Sequence, residues 1–217
     1  MGKTFVILLA FVLPIPAFGN TAPPAAQMPT EENSGDKKYY FEAGWGRVST
    51  NKISTRSEQR VLSTPGTTGT LDVKKRSDAW RVLVGRTFEN KYGLEAGYVG
   101  GINFYVHSSA SNSFTGISLT SKKEMGAQAI FLFLRKDIPV TDRISVFWKA
   151  GWIRYQVKFH EQISDGVDTL EDKRAEYGGF PAAGLGIVRE LGGGLRVSAV
   201  FERDGASGFF FTVGRRF

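Results

Sequence analysis

A chain of 217 residues, 41% hydrophobic and 13% aromatic with a formal charge of +7, has the length of one domain plus a leader, and its slightly negative mean hydropathy excludes a helical membrane protein. Beyond the N-terminus no apolar run approaches the roughly 20 residues that a transmembrane helix needs. The absence of cysteine excludes disulfides, thiolate metal sites and a lipidated cysteine. The positive charge comes without a basic helix or recognition motif, which argues against nucleic acid and toward lipopolysaccharide phosphates.

Lys3, the apolar run Thr4 to Leu13, Pro14, Pro16 and then Ala17-Phe18-Gly19 read as a secretory signal peptide over 1–19, cut after Gly19. A short membrane anchor is the alternative, disfavoured because the run is brief and stops at prolines. Residues 20–38 are rich in Pro, Ala and polar residues without a hydrophobic period, and are expected to form a disordered periplasmic tail.

From Tyr39 to Phe217 the chain alternates with the period of two that a strand requires. The first strand, Tyr39 to Val48, sets Tyr39, Phe41, Ala43 and Trp45 against Tyr40, Glu42, Gly44 and Gly46. A polar connection from Ser49 to Ser77 follows. The second strand, Asp78 to Phe88, opposes Trp80, Val82 and Val84 to Arg81, Leu83 and Gly85. After a turn at Glu89-Asn90-Lys91, the third strand, Tyr92 to Gly100, opposes Leu94, Ala96 and Tyr98 to Glu95, Gly97 and Val99. Gly101 to Ser121 reads as a polar loop. The fourth strand, Lys122 to Leu134, alternates least, being apolar on both faces from Ala129. A turn is expected over Lys136-Asp137-Ile138-Pro139. In the fifth strand, Ile144 to Tyr155, Val146, Trp148 and Trp152 face away from Phe147 and Lys149. Gln156 to Ala175 reads as a charged loop, and the sixth strand spans Glu176 to Arg189, with Pro181 suited to a bulge or strand end. Gly192-Gly193-Gly194 is a turn. The seventh strand opposes Leu195, Val197, Ala199 and Phe201 to Arg196, Ser198, Val200 and Glu202. A short turn at Asp204 to Ser207 leads to the last strand, Gly208 to Phe217.

Three tight turns alternate with three long polar connections, the asymmetry of bacterial barrels with short periplasmic turns and long extracellular loops. The expected fold is all-β: an eight-stranded antiparallel transmembrane β-barrel over 39–217, closed, with both termini periplasmic, in the outer membrane of a Gram-negative bacterium. A soluble lipocalin-type barrel is the rival. The rival fails on facing, because large apolar residues share one parity while the other mixes Gly, Ser, Thr and charges, as lipid outside and polar groups inside demand. Arg47, Arg154, Arg189 and Arg215 fall on the apolar parity near strand ends, where long side chains reach the headgroups.

The segments Gly85 to Phe88, Gly93 to Tyr98, Lys149 to Trp152, Gly184-Leu185-Gly186 and Val213 to Phe217 resemble the small porin-family barrels related to the transmembrane domain of outer-membrane protein A. The resemblance runs from Tyr39 to the end and specifies architecture more than activity. It implies assembly through the barrel-assembly machinery by way of a terminal aromatic signal, here Phe217 with Val213 and Phe211. Some members carry a peptidoglycan-binding domain after the barrel; with the sequence ending at Phe217, that role is not expected.

Glu42, Arg81, Glu95, Lys149, Arg196 and Glu202 share the inward parity. Buried charges persist only when paired, so they are expected to form an ion-pair network, either as filling or as the lining of a gated narrow pore. Lys52, Arg56, Arg60, Lys74, Lys75 and Arg76 read either as a solvated surface or as contacts to lipopolysaccharide phosphates. His107 and Ser109 resemble the His and Ser pair of lipid A deacylases, which would make them base and nucleophile. Ala110 stands where an Asn is expected, however, and the pair lies too early in the chain. His160 shows no ligand partners. No catalytic set, cofactor or metal is expected. The function read from these residues is structural or surface-interacting, through extracellular loops on a monomer without a wide channel. Its partners would be outer-membrane lipid, lipopolysaccharide and host or surface ligands. A narrow passive pore and a lipid A-modifying enzyme are the alternatives.

Overall fold

A computed structural model describes residues 38–51, 53–88, 91–203 and 206–217. The signal peptide, the tail as far as Lys37, Lys52, the turn residues Glu89 and Asn90, and Asp204-Gly205 lie outside the described residues.

Among the described residues the strands are β1 (Tyr39–Ser49), β2 (Thr67–Lys74), β3 (Arg76–Thr87), β4 (Tyr92–Asn112), β5 (Ser118–Pro139), β6 (Ile144–Ser164), β7 (Thr169–Leu191), β8 (Leu195–Arg203) and β9 (Ser207–Arg216), with one short helix, α1 (Arg56–Leu62). All pairings are antiparallel, in the order β2-β4-β3-β1-β9-β8-β7-β6-β5, with β4 paired to β5 as well. The chain's first and last strands are neighbours, and Phe217 and Tyr39 exchange backbone hydrogen bonds at 2.9 and 3.2 Å.

Alternation sorts the side chains by face. Tyr40, Leu83, Phe133, Phe147, Val200 and Phe210 are buried inward, whereas Phe41, Trp45, Val84, Leu132, Trp152, Leu185 and Val213 are exposed on the outer wall. Water would not tolerate such a continuous apolar surface; hydrocarbon would. Inward glycines make room for large rings. A Cβ on Gly85 would fall 2.1 Å from the Tyr40 ring.

The expected eight-stranded closed barrel is corrected. The sheet has nine strands, because β4 outruns β3. The β3–β4 ladder ends at Trp80↔Gly100, and above it β2 pairs with Tyr105 to Asn112. A buried or half-buried strand edge needs partners for its N–H and C=O groups, and β2 supplies them. Beyond the short strands the sheet is open. Among the described residues no strand pairs with the outer edge of β2, or with β7 on the side away from β6 before Ala183. Pro181, lacking an N–H, lies just outside the β8 ladder, where none is required.

The expected loops over 101–121 and 156–175 are corrected too. They are mostly strand, turning only around Ser113 to Ile117 and Asp165 to Asp168. The supposed turn at Lys136 to Pro139 is also strand, paired with Ser145 to Trp148. Gly101, at φ +77°, sits in a bulge between Val99 and Ile102. The bulge switches the inward parity of β4 from Glu95 and Val99 to Ile102, Phe104 and Val106.

Candidate functional site

Several of the strands that bound the interior place polar side chains there, at the register their alternation allows. Glu42 comes from β1, Arg81 from β3, Glu95 from β4, Lys149 from β6, and Arg196 and Glu202 from β8; none is more than 4% exposed. Glu95 is a hub. It accepts hydrogen bonds from Arg135 Nη1 at 2.8 Å and Tyr40 Oη at 2.8 Å, and lies 3.4 Å from Lys149 Nζ. Lys149 bridges onward to Glu202, which also pairs with Arg81. Glu42 belongs to a second group with Arg196 Nε at 2.8 Å, the Ser198 hydroxyl at 3.0 Å and the Thr212 hydroxyl. Tyr40 joins the two, its hydroxyl on Glu95 and its ring 4.0 Å beneath the Arg196 guanidinium.

The structure thus brings all six inward charges into ion pairs, in two groups rather than one. It adds Arg135, which sequence reading missed because the fourth strand was ended at Leu134. The signal was present: Arg135 continues the inward parity of Phe131 and Phe133. The cations lie against aromatic faces, Arg135 3.6 Å from the Phe147 centroid and Arg81 4.3 Å from that of Phe131. Those faces give partial compensation for lost water.

The connection after β1 has its own anchor. Glu58 on α1 is buried and ion-paired to Lys123 at 2.6 Å, and Lys123 also reaches Glu161 at 3.1 Å. Burial pushes the Glu58 carboxyl up, but the hydrogen bonds from Lys123, from the backbone and from Ser57 outweigh it and hold it below its ordinary value. Arg56 and Arg60 occupy the exposed face of α1, one turn apart; Lys74, Lys75 and Arg76 form an exposed run where β2 passes into β3.

His107 and Ser109 lie on the far half of β4. His107 stacks on Tyr105 at 4.5 Å and sits 3.8 Å from Glu124, while Ser109 is exposed opposite Thr70 and Thr120. Among the described residues no hydrogen bond joins the pair, and no group of three or more His, Asp or Glu residues could hold a metal. Phe217, Val213 and Phe211 all point outward and are exposed.

An apolar outer wall around an interior of buried ion pairs and packed rings defines a β-barrel protein of the Gram-negative outer membrane. The OmpA-like transmembrane domain family matches residues 34–191, and the chain belongs to it. Among solved structures it is similar to Ail, the attachment invasion locus protein of Yersinia pestis, at 10% identity and TM-score 0.46, covering 83% of this chain and 98% of that one. It is also similar to OprG of Pseudomonas aeruginosa, at 12% identity and TM-score 0.46, covering 83% and 95%. Neisserial surface protein A is similar at 7% identity and TM-score 0.42, covering 82% and 97%. No curated protein matches the sequence.

Proposed function

We propose that this protein is a structural and surface-interaction barrel whose long hairpins face outward from the cell. The observation that carries this reading is the difference in strand length. At roughly 3.3 Å per residue, the 23 residues of β7 run about 75 Å, against about 30 Å for the 9 of β8. An apolar band about 25 Å tall needs only the latter. The surplus is polar, and Thr169 to Tyr177 is exposed on both faces, as suits a surface built to meet something other than lipid. Contact with host or surface ligands belongs to this projecting region. The exposed cations Arg56, Arg60, Lys74, Lys75 and Arg76, with Lys52, would meet lipopolysaccharide phosphates, and Phe217, Val213 and Phe211 would be read by the barrel-assembly machinery.

A narrow passive pore is the second reading, favoured by the charged interior. Against it stands the mutual pairing of those charges and the aromatic rings packed among them. Single-channel recording of the reconstituted protein separates the two, since steady conductance would remove the filling role.

The direct test is topology. A tag inserted at Gly166, which has open space around it, should bind antibody on intact cells. A tag at Gly193, in the opposite turn, should bind only after permeabilisation. Labelling of Gly193 with Gly166 silent would reverse the orientation and end this reading. Gly66 is a poor insertion site, because Phe114 packs directly against it.

A further inference from the structure

The projecting part of the sheet, β2 with the far halves of β4 to β7, is covered unevenly on its inner face. Helix α1 lies over one side of it. A Cβ on Gly69 of β2 would fall 2.7 Å from the Leu62 side chain, and Glu58 meets Lys123 on β5 at 2.6 Å. On the other side the β7–β8 ladder begins only at Ala183, so the stretch of β7 above it has no neighbour beyond it among the described residues. Between α1 and that free edge, the inner faces of β5, β6 and β7 form a trough. At about 4.8 Å between strands its floor is roughly 10 Å wide, and at about 3.3 Å per residue the run from Val157 to Ile163 is roughly 20 Å long. Those are the dimensions of an α-helix of nearly four turns.

The alternation that buries Phe131, Ile153 and Ala182 continues up β5, β6 and β7 without a register shift, which fixes the side chains lining this trough. At the top are Leu119, Ile163 and Leu170, exposed by 37, 37 and 71%, with Ile163 directly opposite Leu170. Below them Glu161 stands opposite Asp172, Phe159 opposite Arg174 and Val157 opposite Glu176. Lys123 is shared between Glu58 and Glu161, at 2.6 and 3.1 Å. Arg174 lies 3.8 Å from Glu176 and 5.2 Å from the Phe159 ring centroid. Asp172 is exposed and has no ion pair among the described residues. Glu58, Glu161, Asp172 and Glu176 therefore outnumber Lys123 and Arg174 by two. Arg56 and Arg60 do not offset them, since helical spacing turns both away from Glu58. Asp165 and Asp168 at the hairpin tip add to the same sign. In a chain of formal charge +7, this wall reverses the prevailing charge.

We propose that this trough binds a cationic amphipathic helix supplied by another molecule. The apolar stripe of such a helix would lie on Leu119, Ile163, Leu170 and Phe159, and its Lys or Arg side chains would reach Asp172 and Glu176. A helix satisfies its own backbone groups, so the wall need supply only apolar contact and negative charge. Two nearer occupants fail on charge. The chain's own segment 20–37 carries Glu31, Glu32 and Asp36 against Lys37 and has no apolar period. A second copy of the trough would oppose carboxylates to carboxylates. The inference names a partner for the surface-interaction reading above, and rests on that reading for its outward orientation.

The test uses the full chain in phosphatidylcholine nanodiscs, with empty nanodiscs giving the lipid background. The probe is a fluorescent helical peptide of about 14 residues, Leu on one face and Lys on the other, with a photoreactive group at its centre. Wild type should bind it at least about tenfold more tightly than a scrambled peptide of the same composition or one with Glu in place of Lys. Asp172→Asn with Glu176→Gln should weaken binding about tenfold, and so should Ile163→Ser with Leu170→Ser. Both pairs should fold, because all four side chains are exposed. Glu124→Gln with Glu171→Gln removes the same charge from the outer face of β5 and β7 and should leave binding unchanged. Crosslinks should map to the inner face of β6 and β7. Unaltered binding in both inner-face variants would overturn the proposal, as would equal loss in the outer-face pair or equal binding of the scrambled or acidic peptide. Orientation is read separately from the tag at Gly166. A labelled Gly166 with no loss in the inner-face variants sinks the trough alone; a silent Gly166 with trough binding intact sinks the outward orientation alone.

Discussion

Glu95 takes hydrogen bonds from Arg135 and Tyr40 and pairs with Lys149, so its removal leaves Arg135 with Asp137 and Lys149 with Glu202 as their remaining ion-pair partners in a water-poor interior. Breaking one partner of a buried ion pair costs about 3–5 kcal/mol, a large share of a typical folding free energy of about 5–15 kcal/mol. Glu95→Ala should therefore abolish or severely reduce the folded, heat-modifiable band. Tyr40→Phe removes only one donor to the same carboxylate and should cost about 1.5–3 kcal/mol, measured as a lower urea midpoint of refolding into vesicles. If the two variants lose equal stability, Glu95 is not the hub that its contacts make it. Ser198 shows the same logic at smaller scale. Its hydroxyl lies between Glu42 and Thr212, so even the added methyl of Ser198→Thr meets a packed surrounding rather than open space.

At the level of elements, the projecting hairpins are strands whose faces both meet water or polar neighbours. They lack the apolar parity that marks a membrane strand, and β2 shows only Leu71 and Val73 as alternating apolar positions. Their order comes from pairing, which runs unbroken from Thr120↔Ser164 to Pro139↔Ser145 between β5 and β6. Helix α1, seven residues long, is too short to persist alone and is held through Glu58 and Lys123. Folding lowers the Glu58 pKa, so the ion pair adds stability above the unfolded carboxyl range, and that contribution is lost as pH falls through the still lower folded value. Amide protection in α1, taken relative to the intrinsic exchange rate at each pH, should be high near neutral pH and low in acid well below the ordinary carboxylate pKa of about 4.3. Glu58→Gln should show the low protection already at neutral pH. Protection of α1 that is indifferent to both acid and this substitution would mean that apolar packing holds the helix instead.

The whole molecule is organised by its solvent. Val197 is exposed on the outer wall and its neighbour Ser198 is buried inward, so the two positions test which side faces lipid. Val197→Arg places a charge against hydrocarbon at a cost of roughly 2–4 kcal/mol near the midplane, and should lower folding yield into vesicles. In detergent micelles, where the side chain can reach water, the penalty should shrink. Equal folding of Val197→Arg and wild type in both media would contradict a lipid-facing wall. The same wall carries Phe217, which is exposed while its backbone is bonded to Tyr39. Deleting it should impair assembly in cells more than refolding of the purified chain, because the exposed ring contributes little to packing.

Alternation by itself determined which side chains turn inward and which turn outward wherever one face meets lipid. A period-two pattern flips completely on a one-residue slip, and only one phase puts Phe41, Trp45 and Val213 in hydrocarbon. Membership of an outer-membrane barrel family followed from the same pattern and the short motifs around it. Tertiary structure alone decided the rest. Where strands leave the membrane, lipid no longer imposes a pattern, so β2 and the far halves of β4 to β7 read as polar loops until their ladders are seen. Which acid meets which base depends on register and on bends such as the Gly101 bulge, which are long-range properties of the sheet. The placing of the rim arginines is of the same kind. Arg47, Arg76 and Arg203 are scattered along the chain, and only antiparallel pairing through β9 and β1 sets them along one rim.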